Sequence, residues 1–179
     1  MTIEEKEIIE LAKEDPTKFG ILYEKYYDAI YRFVLRRVSV REDAEEIVSQ
    51  TFFAALHNIK KFNWMGFSFS AWLYKIAYNN VISFYRKNKD RKHVSIDEMF
   101  SLSDEKADVM VGYEKTEACD FVKDLFKDLS EEDREILRLK YFEDMSNIDI
   151  ANILNITPNA LGVKLYRVLK KSKGIMQNY

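Results

Sequence analysis

Apolar residues recur every three or four positions along most of this chain, the signature of helices that bury one face. Phe19, Leu22, Tyr23, Tyr26, Tyr27, Ile30, Phe33, Val34 and Val38 form one such stripe, and Asp15-Pro16 ahead of them suits a helix's first turn. Ser39-Val40-Arg41-Glu42 reads as a capping box, in which the Ser and Glu side chains satisfy two orphan amides. Ala44, Ile47, Val48, Phe52, Ala55 and Leu56 follow it, predicting a helix from about Val40 to Asn58. A further helix, capped by Ser68 or Ser70, runs through Trp72, Leu73, Ile76, Ala77 and Ile82 into a basic end at Arg86 to Lys92. Three helix starts then stand close together, at Ser130-Glu131-Glu132-Asp133, at Ser146-Asn147-Ile148-Asp149 and at Thr157-Pro158. The last two helices, Asn147 to Leu154 and Pro158 to Lys171, are separated only by Asn155-Ile156-Thr157. With Ile150, Ala151, Leu154, Ile156, Leu161 and Leu165 buried, they fit a helix-turn-helix. Ala151 is small where the two helices cross, and Asn155 suits a left-handed turn position. Any tight helical hairpin needs a similar turn, so this pattern alone leaves DNA binding and simple packing both open.

Composition narrows the class. In 179 residues there are only 5 Gly and 2 Pro, with 32% charged residues, which disfavours a loop-rich β-sandwich and predicts an all-α fold. One cysteine, Cys119, excludes an intramolecular disulfide framework or a cysteine zinc cage and implies a reducing compartment. The amino terminus is acidic with no apolar core of signal-peptide length. The uncharged aromatic stretch from Phe62 to Tyr74 is broken by Asn, Gly and Ser, so the expectation is a cytoplasmic protein with no membrane segment of its own. His57 and His93 are 36 residues apart, Cys119 has no nearby His, and there is no glycine-rich phosphate loop. The expectation is a protein that is not an enzyme and takes no metal or cofactor.

The net charge of −2 conceals a division. Residues 1–93 carry 16 basic and 13 acidic groups, residues 94–128 carry 4 and 10, and residues 129–179 carry 8 and 7. This predicts two small helical domains, 1–93 and 129–179, joined by an acidic linker over 94–128 that ends in a helix near Tyr113 to Lys127. Between His57 and Lys92, Lys60, Lys61, Lys75, Arg86, Lys87, Lys89, Arg91 and Lys92 are opposed by Asp90 alone. Phe62, Trp64, Phe67, Phe69, Trp72, Tyr74, Tyr78, Phe84 and Tyr85 share that segment. Cations that track phosphates and rings that stack on bases suit single-stranded nucleic acid. Most of these rings also suit a core, so the functional reading rests on those outside the apolar stripe. On the helix before them, Asp43, Glu46, Ser49, Gln50 and Phe53 form an acidic and amide face opposite the stripe, read from spacing alone as solvated.

Phe19 to Tyr26 (FGILYEKY), Asp43 to Phe52 (DAEEIVSQTF) and Phe69 to Asn79 (FSAWLYKIAYN) resemble the amino-terminal domain of the extracytoplasmic-function group of bacterial sigma factors. Leu129-Ser130, Arg134 to Asp144 (REILRLKYFED) and Ile150 to Thr157 (IANILNIT) are similar to that group's carboxy-terminal domain. The resemblance implies a stress-response transcription factor that binds core RNA polymerase, melts promoter DNA at the −10 element and docks on the −35 element. By that resemblance Asp43, Glu46, Gln50 and Phe53 meet the polymerase. By the same resemblance Lys60, Lys61, Asn63, Trp64, Met65, Tyr78, Arg86 and Lys87 hold the single-stranded non-template strand, with Asn63, Trp64 and Met65 contacting a flipped base, while the register of Trp72 with Ile76 assigns that ring to core packing. Thr157, Asn159, Ala160, Val163, Lys164, Arg167, Lys170 and Lys171 meet the −35 duplex, early residues at base edges and later ones at phosphates. Gly162 departs from the family pattern: it weakens the helix and offers no side chain to a base. Many relatives are held inactive by an anti-sigma factor, a partner that would be encoded elsewhere. Two other readings compete: an autonomous two-domain helix-turn-helix regulator that needs no polymerase, and a polymerase-binding protein without promoter activity.

Overall fold

The structure, a computed structural model, describes residues 3–38, 40–64, 66–88 and 129–176. The expectations placed on Ser39, on Met65 and on the linker with its late helix lie outside the described residues. The chain divides into two compact units, Met1–Ala107 and Asp108–Tyr179. Every element among the described residues is helical.

In the first unit α1 (Ile3–Glu14) leads through a 3-10 turn (Pro16–Lys18) into α2 (Phe19–Leu35), followed by α3 (Arg41–Asn58), a second 3-10 turn (Ile59–Lys61) and α4 (Phe69–Asn88). Pro16 opens the first turn, capped by Asp15, whose carboxylate accepts from Thr17 N at 3.0 Å and Thr17 Oγ1 at 2.7 Å. The α2 stripe packs largely as the spacing implies, with Phe19, Leu22, Ile30, Phe33, Val34 and Val38 buried, while Tyr23 lies at its edge and is 41% exposed. Two expectations are corrected. The N-cap of α3 is Val40, in extended conformation with no side-chain cap, so the helix begins two residues after Ser39. On α4 the buried residues are Phe69, Ala71, Leu73, Tyr74, Ala77, Val81 and Tyr85, whereas Trp72, Ile76 and Ile82 are half-buried. Of the two candidate caps Ser68 is the one used, Ala71 N donating to its Oγ at 3.0 Å, and the buried side is set by Phe69, which packs on Phe62 and Tyr26.

Polar ties hold these helices in register. Asn80 Nδ2 donates to Thr51 Oγ1 at 3.1 Å, and that hydroxyl donates to Ile47 O at 2.7 Å, joining α4 to α3. Arg37 is fully buried; its guanidinium lies 3.5 Å over the Phe33 ring and donates to Phe33 O at 2.7 Å. The Tyr85 hydroxyl donates to the Arg37 carbonyl, so the carboxy-terminal ends of α2 and α4 are joined. The element that spacing did not bring out is α1. It buries Ile9 and Ala12, and its Glu5, only 5% exposed, accepts from Lys25 Nζ at 2.7 Å and from the Tyr26 hydroxyl of α2.

In the second unit α5 (Glu131–Leu137) runs into a wider π turn (Arg138–Phe142), followed by α6 (Asn147–Ile153) and α7 (Pro158–Met176). All three expected caps form: Asp133 N, Asp149 N and Ala160 N donate to the hydroxyls of Ser130, Ser146 and Thr157 at 3.3, 3.1 and 3.1 Å. Asn155, at φ 54°, makes the left-handed turn between α6 and α7. Ile150, Ala151 and Leu161 are buried as expected, but Ile153 is fully buried while Leu154, Ile156 and Leu165 are half-buried. The π turn was not foreseen. It keeps Leu139 in the core while Tyr141 and Phe142 stand 60% and 56% exposed.

Gly162 lies on the exposed side of α7, where an added Cβ would meet nothing within 4 Å. Gly162→Ala should therefore stabilise the second unit by about 1 kcal/mol, read as a raised thermal midpoint. Gly66 is also spacious but sits at φ +89°. Gly66→Ala should lower stability by roughly 1–2 kcal/mol, because a side chain there is strained whatever the room.

Candidate nucleic-acid and partner interfaces

Burial of Ala44, Ile47, Val48, Thr51, Phe52 and Ala55 leaves the opposite face of α3 outward. Asp43, Glu46, Gln50 and Phe53 recur there three or four residues apart, so the structure brings them together as one strip. Glu46 is exposed and accepts from Gln50 Nε2 at 2.8 Å, and Phe53 is 72% exposed. Leu56, assigned to the buried stripe from spacing, is 36% exposed on the same side of the helix as Phe53. Partial burial, then the charges of Glu46 and Glu42, push the Asp43 carboxyl above its ordinary range. Uncompensated acids around an exposed ring make a surface suited to a partner with cations beside an apolar socket.

The segment between the second 3-10 turn and α4 is anchored at both ends by rings. Phe62 and Phe69, 2% and 0% exposed, meet edge to face at 5.3 Å between centroids, and Trp72 lies 5.1 Å from the first and 5.4 Å from the second. Phe67 closes the cluster at 6.4 Å from Phe62. Trp72 is thus a half-buried wall of this box rather than the core residue its register with Ile76 implied. Trp64 packs edge-on against Phe62 at 4.8 Å, half-buried, and its Nε1 has no hydrogen-bond partner among the described residues. Asn63, Lys60 and Lys61 are exposed beside it. Tyr78 is half-buried on α4, and Arg86 and Lys87 are exposed in its last turn, more than three turns from Trp72. The loop residues therefore cluster, while Arg86 and Lys87 mark the far end of the same helix.

On α7, Leu161, Val168 and Ser172 face the core. Asn159, Val163, Arg167 and Lys170 share the outward side, all exposed, and Thr157 sits exposed at the helix start. Ala160, Lys164 and Lys171 lie on the flank. Lys164 Nζ is held at 2.6 Å by Glu132 of α5. Sequence reasoning missed Tyr166, 68% exposed in the middle of the outward side. Its signal was its offset from Leu161, Leu165 and Val168, which puts it opposite the buried stripe.

A family model described as Sigma-70 region 2 matches residues 22–91, and one described as Sigma-70, region 4 matches residues 122–171. Curated relatives include the ECF RNA polymerase sigma factor BldN of Streptomyces coelicolor, 27% identical over 165 residues, and SigW of Bacillus subtilis, 28% identical over 170. The chain belongs to the extracytoplasmic-function group of sigma factors. The alignment covers 92% of this sigma factor but only 62% of BldN, under two thirds of that relative's length, and 90% of both chains for SigW. Solved structures agree on the fold. That of CnrH in complex with the cytosolic domain of CnrY matches with a TM-score of 0.64 at 19% identity, covering 96% of each chain. That of the sigma factor RpoE in complex with the anti-sigma factor NepR from Bartonella quintana matches at 0.61 and 20%, covering 89% of this chain and 96% of the other. Among the described residues no helix of this sigma factor is long and apolar enough to cross a membrane.

A raised folded pKa means that ionising Asp43 works against the fold, so its contribution to stability is fully present at low pH and is lost as the pH rises through that pKa. Glu46→Gln removes the second cause and leaves the first. The Asp43 titration, followed by carboxyl-carbon NMR, should move down toward the ordinary carboxylate range without reaching it.

Proposed function

We propose that this sigma factor binds core RNA polymerase, directs it to particular promoters, melts the −10 element with its first unit and docks on the −35 element with its second. The observation that carries this reading is that both sigma-type units lie in one chain and in order. The division of labour follows the expected domains: residues 1–93 for polymerase and the −10 strand, 94–128 as an acidic linker, 129–179 for the −35 duplex.

The strip of Asp43, Glu46, Gln50 and Phe53 meets the polymerase. Burying one exposed phenylalanine there contributes roughly 1.5–3 kcal/mol, and cations on the partner relieve the crowded carboxylates. Lys60, Lys61, Asn63, Trp64, Met65, Tyr78, Arg86 and Lys87 hold the unpaired non-template strand. Extruding a base costs a few kcal/mol, which stacking at about 1–3 kcal/mol per base can offset once the loop is in place. Thr157, Asn159, Ala160 and Val163, at the start of α7, meet base edges, while Lys164, Arg167, Lys170 and Lys171 meet phosphates. Its pair with Glu132 does not disqualify Lys164. An exposed pair contributes only about 0–1 kcal/mol, so a phosphate can displace the carboxylate. The protein works in the cytoplasm, brings no catalytic group or cofactor of its own, and has an anti-sigma factor as a further partner.

An autonomous helix-turn-helix regulator is not favoured. A net charge of −2 supplies little of the counterion release on which a free DNA-binding protein depends, whereas a subunit carried by polymerase does not need it. Co-elution of the full chain with bacterial core polymerase on size exclusion is the test, with Asp43→Arg/Glu46→Arg expected to abolish it. In run-off transcription Trp64→Ala should remove promoter opening and leave binding to duplex −35 DNA unchanged. Failure of the wild-type chain to co-elute would overturn the proposal.

A further inference from the structure

The matched family segment begins at residue 22, so α1 lies outside it, yet α1 is linked to both ends of the loop that carries Asn63 and Trp64, directly at one and through α2 at the other. At one end α1 packs directly on the 3-10 turn Ile59–Lys61, with Ile9, Ala12 and Ile59 all buried. At the other end the link is a relay. Glu5 accepts from the Tyr26 hydroxyl, and the Tyr26 ring lies 5.7 Å from the ring of Phe69, the first residue of α4. Phe69 in turn packs on Phe62 and Trp72 in the box beneath Trp64. Lys25, at 2.7 Å from Glu5 and 5.4 Å over the Tyr26 ring, completes the clamp.

We infer that Glu5 and Tyr26 are positioning residues for strand capture, with α1 acting as a buttress that sets the register of the loop holding Asn63 and Trp64. The energetics favour a device of this kind over incidental packing. A carboxylate 5% exposed is costly unless paired and hydrogen-bonded, and here two partners come from α2 at successive positions, one of them the residue that touches Phe69. Although burial opposes ionisation of Glu5, the hydrogen bonds from Lys25 and Tyr26 prevail and hold its carboxyl below the usual range, so the clamp is charged at neutral pH. Removing the Tyr26 hydroxyl leaves the ring on Phe69 but cuts it loose from α1.

The inference rests on the sigma-factor reading for its consequence and not for its geometry, and the two separate experimentally. The chain's two tryptophans, Trp64 and Trp72, both touch the box, so intrinsic fluorescence of the full chain reports on it without polymerase. Tyr26→Phe and Glu5→Gln should each red-shift the emission and increase acrylamide quenching, while far-ultraviolet circular dichroism shows the helices intact. In holoenzyme made with each variant, affinity for a single-stranded −10 oligonucleotide should fall about tenfold, the equivalent of one charge-assisted hydrogen bond, with duplex −35 affinity and polymerase co-elution unchanged. Unmoved tryptophan emission in both variants would overturn the inference whatever the polymerase assays show. Moved emission with wild-type strand affinity would overturn the positioning role. Moved emission in a chain whose wild type does not bind polymerase at all would sink the sigma-factor reading and leave the buttress as a structural fact.

Discussion

Closure of the aromatic box at the foot of α4 is the constraint on which the first unit depends. Phe62 and Phe69 bracket the loop, and each is almost fully buried against the other and against Trp72. Burying two such rings contributes several kcal/mol, enough to hold closed a loop whose own backbone, with Gly66 in the left-handed region, has little regular structure to stabilise it. The box also faces two ways. Its floor is the core, reached through Tyr26 and α1, and its rim is Trp64 with exposed Asn63. Strain or repacking on one side is therefore transmitted to the other, because close-packed rings shift as a unit.

The α3 surface is built on the opposite principle. Nothing within the described structure neutralises the acids crowded onto it. The fold tolerates a raised Asp43 carboxyl and an exposed phenylalanine because the price is small for a free chain in water. A partner that supplies cations and an apolar socket recovers that energy as binding. Tyr85, pushed up to about 12 by burial and by Asp43, shows that the acid strip is felt one layer down, at the hydroxyl that joins α4 to the end of α2.

In the second unit, short helices depend on their ends. Helices of seven residues are marginal alone, and α5 and α6 each have this length. Serine caps at both starts and the left-handed Asn155 compensate, and the part-buried Glu131–Arg138 pair at 2.9 Å ties α5 to the turn after it. Burial raises the Glu131 carboxyl even so, outweighing Arg138 and Arg134, which marks the pair as a geometric clasp more than a source of stability. With Leu161, Val168 and Ser172 buried, α7 presents Asn159, Val163, Tyr166 and Arg167 on its outward side.

The sequence by itself determined the helical class, the three serine and threonine caps of the second unit, the left-handed Asn155 and the strip opposite the α3 core, because each depends on spacing or on chemistry within about four residues. It misled where a helix's rotation depends on what it packs against. On α4 the apolar residues surround enough of the helix that periodicity could not choose between Trp72 and Phe69 as the centre of the buried side; contact with Phe62 and Tyr26 decided it. The role of α1 was illegible for the same reason, since its anchor is a glutamate, a residue that reads as surface until a lysine and a tyrosine some twenty positions away close over it. Long-range pairing of this kind has no local signature, and only the tertiary structure supplies the partner that makes a buried charge affordable.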